Sequence, residues 1–128
     1  MTLEEIKIWL STQVKAPAFF SGQIDSSFDN CIGVHNGSGP KPNIAIGGIQ
    51  NTTYVVKSII ILIHWGKNSN AAELKAQEIY DALFGKTAII GTQRVINFDM
   101  KMSQPLSLGT DNNGIFEYVI HVNITYER

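Results

Sequence analysis

Residues 54–85, YVVKSIIILIHWGKNSNAAELKAQEIYDALFG, decide the fold. Ser58–Ile63 within them is β-branched almost throughout, which suits a pleated, buried strand rather than a helix. The run is far shorter than the ~18 apolar residues that cross a bilayer. Alternation puts Tyr54, Val56, Ile60, Leu62 and His64 on one side, and Val55, Ile59, Ile61, Ile63 and Trp65 on the other. Both sides are largely apolar, so both need cover. Gly66 and Asn68 break the strand, and Asn70 with Glu73 forms an N-x-x-E helix start. Ala72, Ala76, Ile79 and Leu83 then recur at helical spacing, and Gly85 stands where a helix ends on glycine.

Upstream, Thr2-Leu3-Glu4-Glu5 is a capping box opening a short helix, with Leu3, Ile6, Trp9, Leu10 and Val14 on its buried side and Pro17 to end it. Phe19, Phe20, Ile24 and Phe28 are dispersed among polar residues, a weak strand or an ordered loop. Cys31–His35 reads as a short strand. Residues 35–48 carry glycines, two prolines and asparagines, a long loop with a short strand at Ile44 and Ile46. Downstream, Arg94–Met102 alternates, with Ile96, Phe98, Met100 and Met102 on its buried side. Pro105 interrupts, and Asn113-Gly114 is the pair that a type I′ hairpin prefers. Ile115–Tyr126 alternates again, Phe116, Tyr118, Ile120, Val122, Ile124 and Tyr126 inward, Glu117, His121, Asn123 and Thr125 outward and wet. The expected fold is a single α+β domain over residues 1–128: a mostly antiparallel mixed sheet with two helices packed on one face.

Composition narrows the function classes. The chain has 128 residues, a formal charge of −1, and ten Lys and Arg that form no run. Such a balance offers no general attraction to nucleic acid or an anionic membrane. Cys31 is the only cysteine, so an internal disulfide is not available. The first residues lack the basic start and apolar run of a signal peptide, which leads us to expect an intracellular protein in which the three N-x-S/T matches are incidental.

Local motifs for chemistry are weak. Gly37-Ser38-Gly39-Pro40-Lys41 departs from a phosphate loop, since Pro40 and Pro42 remove donors and no helix follows. Cys31 and His35 lie four residues apart, roughly 13 Å along an extended chain, too far to share a metal. His64 and His121 would be cross-strand neighbours, more simply explained as satisfied or exposed imidazoles. No Ser, His and acid fall in a nucleophile context. The reading is therefore of a protein without enzymatic activity, cofactor or metal. The unusual feature is the two-sided strand, whose second face is covered by the long loop, by Phe19, Phe20 and Phe28, or by another subunit.

The strand–corner–helix, followed by Gln104-Pro105, by Leu108-Gly109-x-Asp111-x-x-Gly114 and by an alternating, Tyr-containing last strand, resembles minor capsid or tail terminator proteins of long-tailed bacteriophages. The resemblance runs from about Gly47 onward and takes in the N-terminal helix, but not residues 16–48. It implies structural work in the virion, after assembly in the host cytoplasm. Such proteins form a homo-oligomeric ring, typically a hexamer, that caps the tail tube and meets a head completion or connector protein. Genome DNA passes through without specific binding, and no membrane is involved. On this reading Val55, Ile59, Ile61, Ile63 and Trp65 are the candidate subunit interface, with the second helix and the sheet edges also available. His35, Asn36, Lys41, Asn43, Pro105, Leu108, Asp111 and Asn113 are candidate contacts to tube or head. The alternatives are another neck component between portal and tail, or a small ligand-binding or enzymatic α+β domain.

Overall fold

The computed structural model of the protein describes residues 1–25, 27–38 and 53–128. Lys41, Asn43, the phosphate-loop-like Gly39-Pro40-Lys41 and the strand expected at Ile44 and Ile46 lie outside them. The described elements are α1 (Leu3–Gln13), β1 (Phe19–Ser21), β2 (Asn30–Asn36), β3 (Tyr54–Trp65), α2 (Ser69–Leu83), β4 (Ala88–Ile90), β5 (Gln93–Met100), β6 (Leu106–Thr110) and β7 (Phe116–Glu127). The fold is the expected α+β arrangement. Strand order is β1-β2-β3-β7-β5-β4, and β6 also pairs with β7. Only β1–β2 is parallel. On the side away from β3, β7 is shared lengthwise: β6 takes Phe116–Val119 and β5 takes Val122–Tyr126.

The capping box at Thr2 forms as expected, with Glu5 N–H donating to Thr2 Oγ1 and Thr2 N–H donating back to Glu5. Helix α1 nevertheless stops at Gln13, capped by Val14, before Pro17 is reached. Helix α2 is capped by Asn68 rather than Asn70. Its Oδ1 accepts from Ala71 N–H at 3.1 Å, so Ser69 and Asn70 already belong to the first turn. Gly85, at φ 71°, closes this helix in the left-handed region where other residues are strained.

Both helices lie on one face of the sheet. Ile6, Leu10 and Val14 of α1 join Ala76, Ile79 and Leu83 of α2 in one core with Ile32, Val34, Ile59, Ile61, Ile63, Ile120, Val122 and Ile124. Each such side chain contributes roughly 1.5–3 kcal/mol by leaving water. Trp9 reaches across to stack on Phe98, ring centroids 5.3 Å apart, and ties α1 to β5.

The second face is partly covered by the chain itself. Gly33 makes this possible, since a Cβ there would sit 2.5 Å from Ile24 Cγ2 and 3.0 Å from His35 Nε2. Ile24 thus seats on β2 from the β1–β2 connection, beside the tilted pair Phe20 and Phe28, whose ring centroids are 5.7 Å apart. Replacing Gly33 by alanine is expected to cost about 1–3 kcal/mol through overpacking. A urea midpoint series should show it, and Ile24→Ala in the same background should restore part of the loss.

Three further details depart from expectation. A bulge between Val95 and Asn97 turns Val95 into the core and leaves Ile96 exposed, because the extra residue shifts the alternation by one. The β4–β5 hairpin and β6 went unread, although Ile90-Gly91-Thr92-Gln93 carries a two-residue turn signal and Gly91 has the positive φ, 62°, that its first position requires. Asn123, expected on a wet face, is only 6 % exposed.

Candidate functional site

The face proposed as a subunit interface is the one the helices cover. Ile59, Ile61 and Ile63 are at most 1 % exposed, and Val55 and Trp65 pack half-buried against the same core. Lys75 of α2 places its ammonium 4.9 Å from the Trp65 ring centroid, closing that end. These residues have no free face for a neighbour, which corrects the sequence-based assignment. The alternation was read properly; what it could not show is that α1 and α2 both land on this side.

The other candidates divide. His35 is half-buried, and its Nε2 has no hydrogen-bond partner. Asn36 is exposed and accepts from Lys57 Nζ at 3.3 Å. Pro105 is half-buried, Leu108 is 53 % exposed, and Asn113 is exposed. Asp111 is different, because both of its carboxylate oxygens turn inward. Oδ1 accepts from Asn113 N–H at 2.8 Å and Ile115 N–H at 2.9 Å, and Oδ2 accepts from His64 Nε2 at 2.8 Å.

Asp111 therefore builds the turn that the sequence motif marks. Gly114 N–H donates to the Asp111 carbonyl at 3.1 Å, while no non-glycine residue described has a positive φ. Asn112 and Asn113 then cannot form the expected type I′ turn, which needs positive φ at both. Gly114, at φ 80°, takes the left-handed position after the turn instead. The Asp side chain bonding two residues ahead is the local preference that sets this shape. Gly109, at φ 82°, accompanies the register shift in β6. Each residue of Leu108-Gly109-x-Asp111-x-x-Gly114 that strand physics alone would not demand thus has a backbone reason.

The side-chain centre behind this turn was missed by sequence reasoning. His64 is 1 % exposed, and its Nδ1 lies 3.8 Å from Cys31 Sγ. An ionised carboxylate only accepts, so the proton shared with Asp111 sits on Nε2. Nδ1 of the neutral ring then accepts from the Cys31 thiol. The hydrogen bond from His64, followed by that from Ile115 N–H, holds the Asp111 carboxyl below the usual carboxylate range. Burial, with smaller contributions from the Asp25 and Glu117 charges, pushes the Cys31 thiol up to about 11. A Cys–His–Asp order invites a nucleophile reading, but this thiol is fully buried and protonated, the reverse of an activated one. The chain is a structural hydrogen-bond relay. The antiparallel β2–β3 register places Cys31 opposite His64, a pairing that local spacing does not reveal. The expected neighbour His121 instead pairs with Ile60.

Among the described residues no group of three or more His, Cys, Asp or Glu could hold a metal, and no helix is long and apolar enough to cross a membrane. The exposed large apolar side chains fall into separate regions. Ile8 and Ile89 border a shallow depression with Glu5, Trp9 and Gly91, at the α1–β4 end of the sheet. Leu106 and Leu108 stand on β6. Leu74 points away from the core on α2.

A family model described as bacteriophage tail terminator protein matches residues 8–128. No curated protein and no solved structure matches.

Proposed function

The chain belongs to the bacteriophage tail terminator family, and from that we propose that it closes the completed tail tube as a homo-oligomeric ring, hexameric as the resemblance implies, and presents a surface for the head. A structural role in the virion follows from the family itself. The observation carrying the proposal is the family match over residues 8–128, nearly the whole chain.

The geometry supports a redistribution of contacts. With the helix-covered face of β3 committed to the core, subunit contacts go to the sheet ends. Strands β1 and β4 end the sheet on opposite sides, and β4 carries Ile89, 68 % exposed, beside Ile8. Two unlike surfaces on opposite sides are what a heterologous, closing contact requires. The tube or head contact goes to the β6–β7 hairpin, where Leu106, Leu108 and Asn113 are exposed. Tube protein and head completion protein are the partners, and DNA passes without specific contact, consistent with the near-neutral charge.

The test is a phage carrying a disrupted gene for this chain, complemented in trans. Electron microscopy of the lysate should show filled heads beside unjoined tails, many of abnormal length. Wild-type protein should restore virions, and Leu108→Lys should fold normally yet restore few. Normal joined virions without the gene product would sink the proposal.

A further inference from the structure

Strand β6 is exposed at every one of its five residues, so side-chain burial does little to order it. Its order depends on the ladder to β7 and on the turn from Asp111 to Ile115. That turn is fastened to the end of β3 at two points. Phe116 N–H donates to the Gly66 carbonyl at 2.9 Å, and His64 Nε2–H donates to Asp111 Oδ2 at 2.8 Å. Gly66 N–H in turn donates to the Asp29 carbonyl at 2.9 Å, so the corner after β3 is held from both sides. His64 is itself immobilised, buried and in contact with Cys31 of β2.

We infer that His64 and Asp111 are positioning residues that lock the β6–β7 hairpin as a preformed docking element, presenting Leu106 and Leu108 to the tube or head. A preordered hairpin avoids the ordering cost of binding, which a loose one would have to meet on contact. The docking purpose rests on the tail-terminator reading; the locking does not.

The lock is electrostatic as well as geometric. The groups facing His64 are Asp111 from the turn, Cys31 from β2 and Glu117, its pairing partner on β7. Asp25, in the β1–β2 connection, acts on Cys31. Among these carboxylates only Asp111 is hydrogen-bonded to the imidazole. An ionised acceptor makes this bond roughly twice as strong as a neutral one. Because the Asp111 carboxyl titrates below its ordinary value, the lock is fully present above that value and loosens as pH falls through the lowered one.

Amide hydrogen exchange by NMR on the full chain tests this with Asp111→Asn, His64→Gln and the double variant. Each single change should reduce protection of the β6–β7 hairpin about tenfold, the double variant should lose no more than either, and core amides such as Ile61 and Val122 should be unaffected. In the wild type, the Asn113 and Ile115 amide resonances should titrate together below the ordinary aspartate value, and Asp111→Asn should abolish that transition. Unchanged hairpin protection, additive losses, or amides indifferent to pH would each overturn the lock. If a variant fails to fold, the wild-type titration decides alone. In a joining assay with purified heads and tails, Asp111→Asn should need about tenfold more protein. Equal potency would overturn the docking role. Wild-type protein that joins nothing overturns the tail-terminator reading, and the exchange data then stand by themselves on the lock.

Discussion

Ile61→Lys is expected to abolish cooperative folding. Ile61 is 1 % exposed, at the middle of β3, paired with Val34 of β2 and Ile120 of β7 and packed in the common core under the helices. An ammonium there would lose its hydration with no carboxylate in place to receive it. The cost is on the order of 5 kcal/mol or more, comparable with the ~5–15 kcal/mol that stabilises an ordinary domain. Circular dichroism with urea titration should show no sigmoidal transition and a largely unfolded baseline. A folded, monodisperse Ile61→Lys protein that fails only in assembly would restore this face as a subunit interface.

Phe98→Ala should have the next largest effect, about 3–5 kcal/mol. Phe98 is 3 % exposed, sits opposite Ile124 on β7 and carries the stacked Trp9 ring. Its removal opens a cavity and also strands Trp9, the side chain through which α1 reaches β5. Thermal unfolding should shift down sharply while the protein still folds at low temperature. Trp9 fluorescence should move to the red in the native state, because the indole gains water. A native spectrum identical to wild type would mean that α1 is held without this stack. Trp9→Ala should then leave stability nearly untouched.

Legibility in the sequence followed the range of the physics involved. Strand β3, helix α2, its Gly85 terminus and the inward residues of β7 are written in short periods, so Ser58–Ile63 and Ala72-Ala76-Ile79-Leu83 could be read directly. The capping box at Thr2 is equally local. Ile96 misled because a bulge shifts the period without changing composition. Asn113-Gly114 misled because the αL residue is Gly114 alone, a choice made by Asp111 from inside the turn. Strand β6 was invisible because all of its side chains are exposed and no alternation marks it.

The candidate site was less legible than the fold. Sequence placed Asp111 and Leu108 in a recognisable motif, and the family match over residues 8–128 agrees with the resemblance drawn from it. It did not connect Asp111 to His64 or His64 to Cys31, whose separations along the chain are 47 and 33 residues. Such contacts depend on strand register, which is set by the whole sheet.

By itself, the sequence of residues 54–85 determined a two-sided apolar strand turning through Gly66 into an amphipathic helix, since each step depends only on near neighbours. Which apolar side is core was decided by the tertiary structure alone. Both helices pack on Ile59, Ile61 and Ile63, Ile24 reaches the opposite side over Gly33, and the buried His64 at the strand's end fastens a hairpin almost fifty residues away. Period tells a strand that it has two faces, but only the packing of distant elements assigns one to the interior and leaves the other for partial cover.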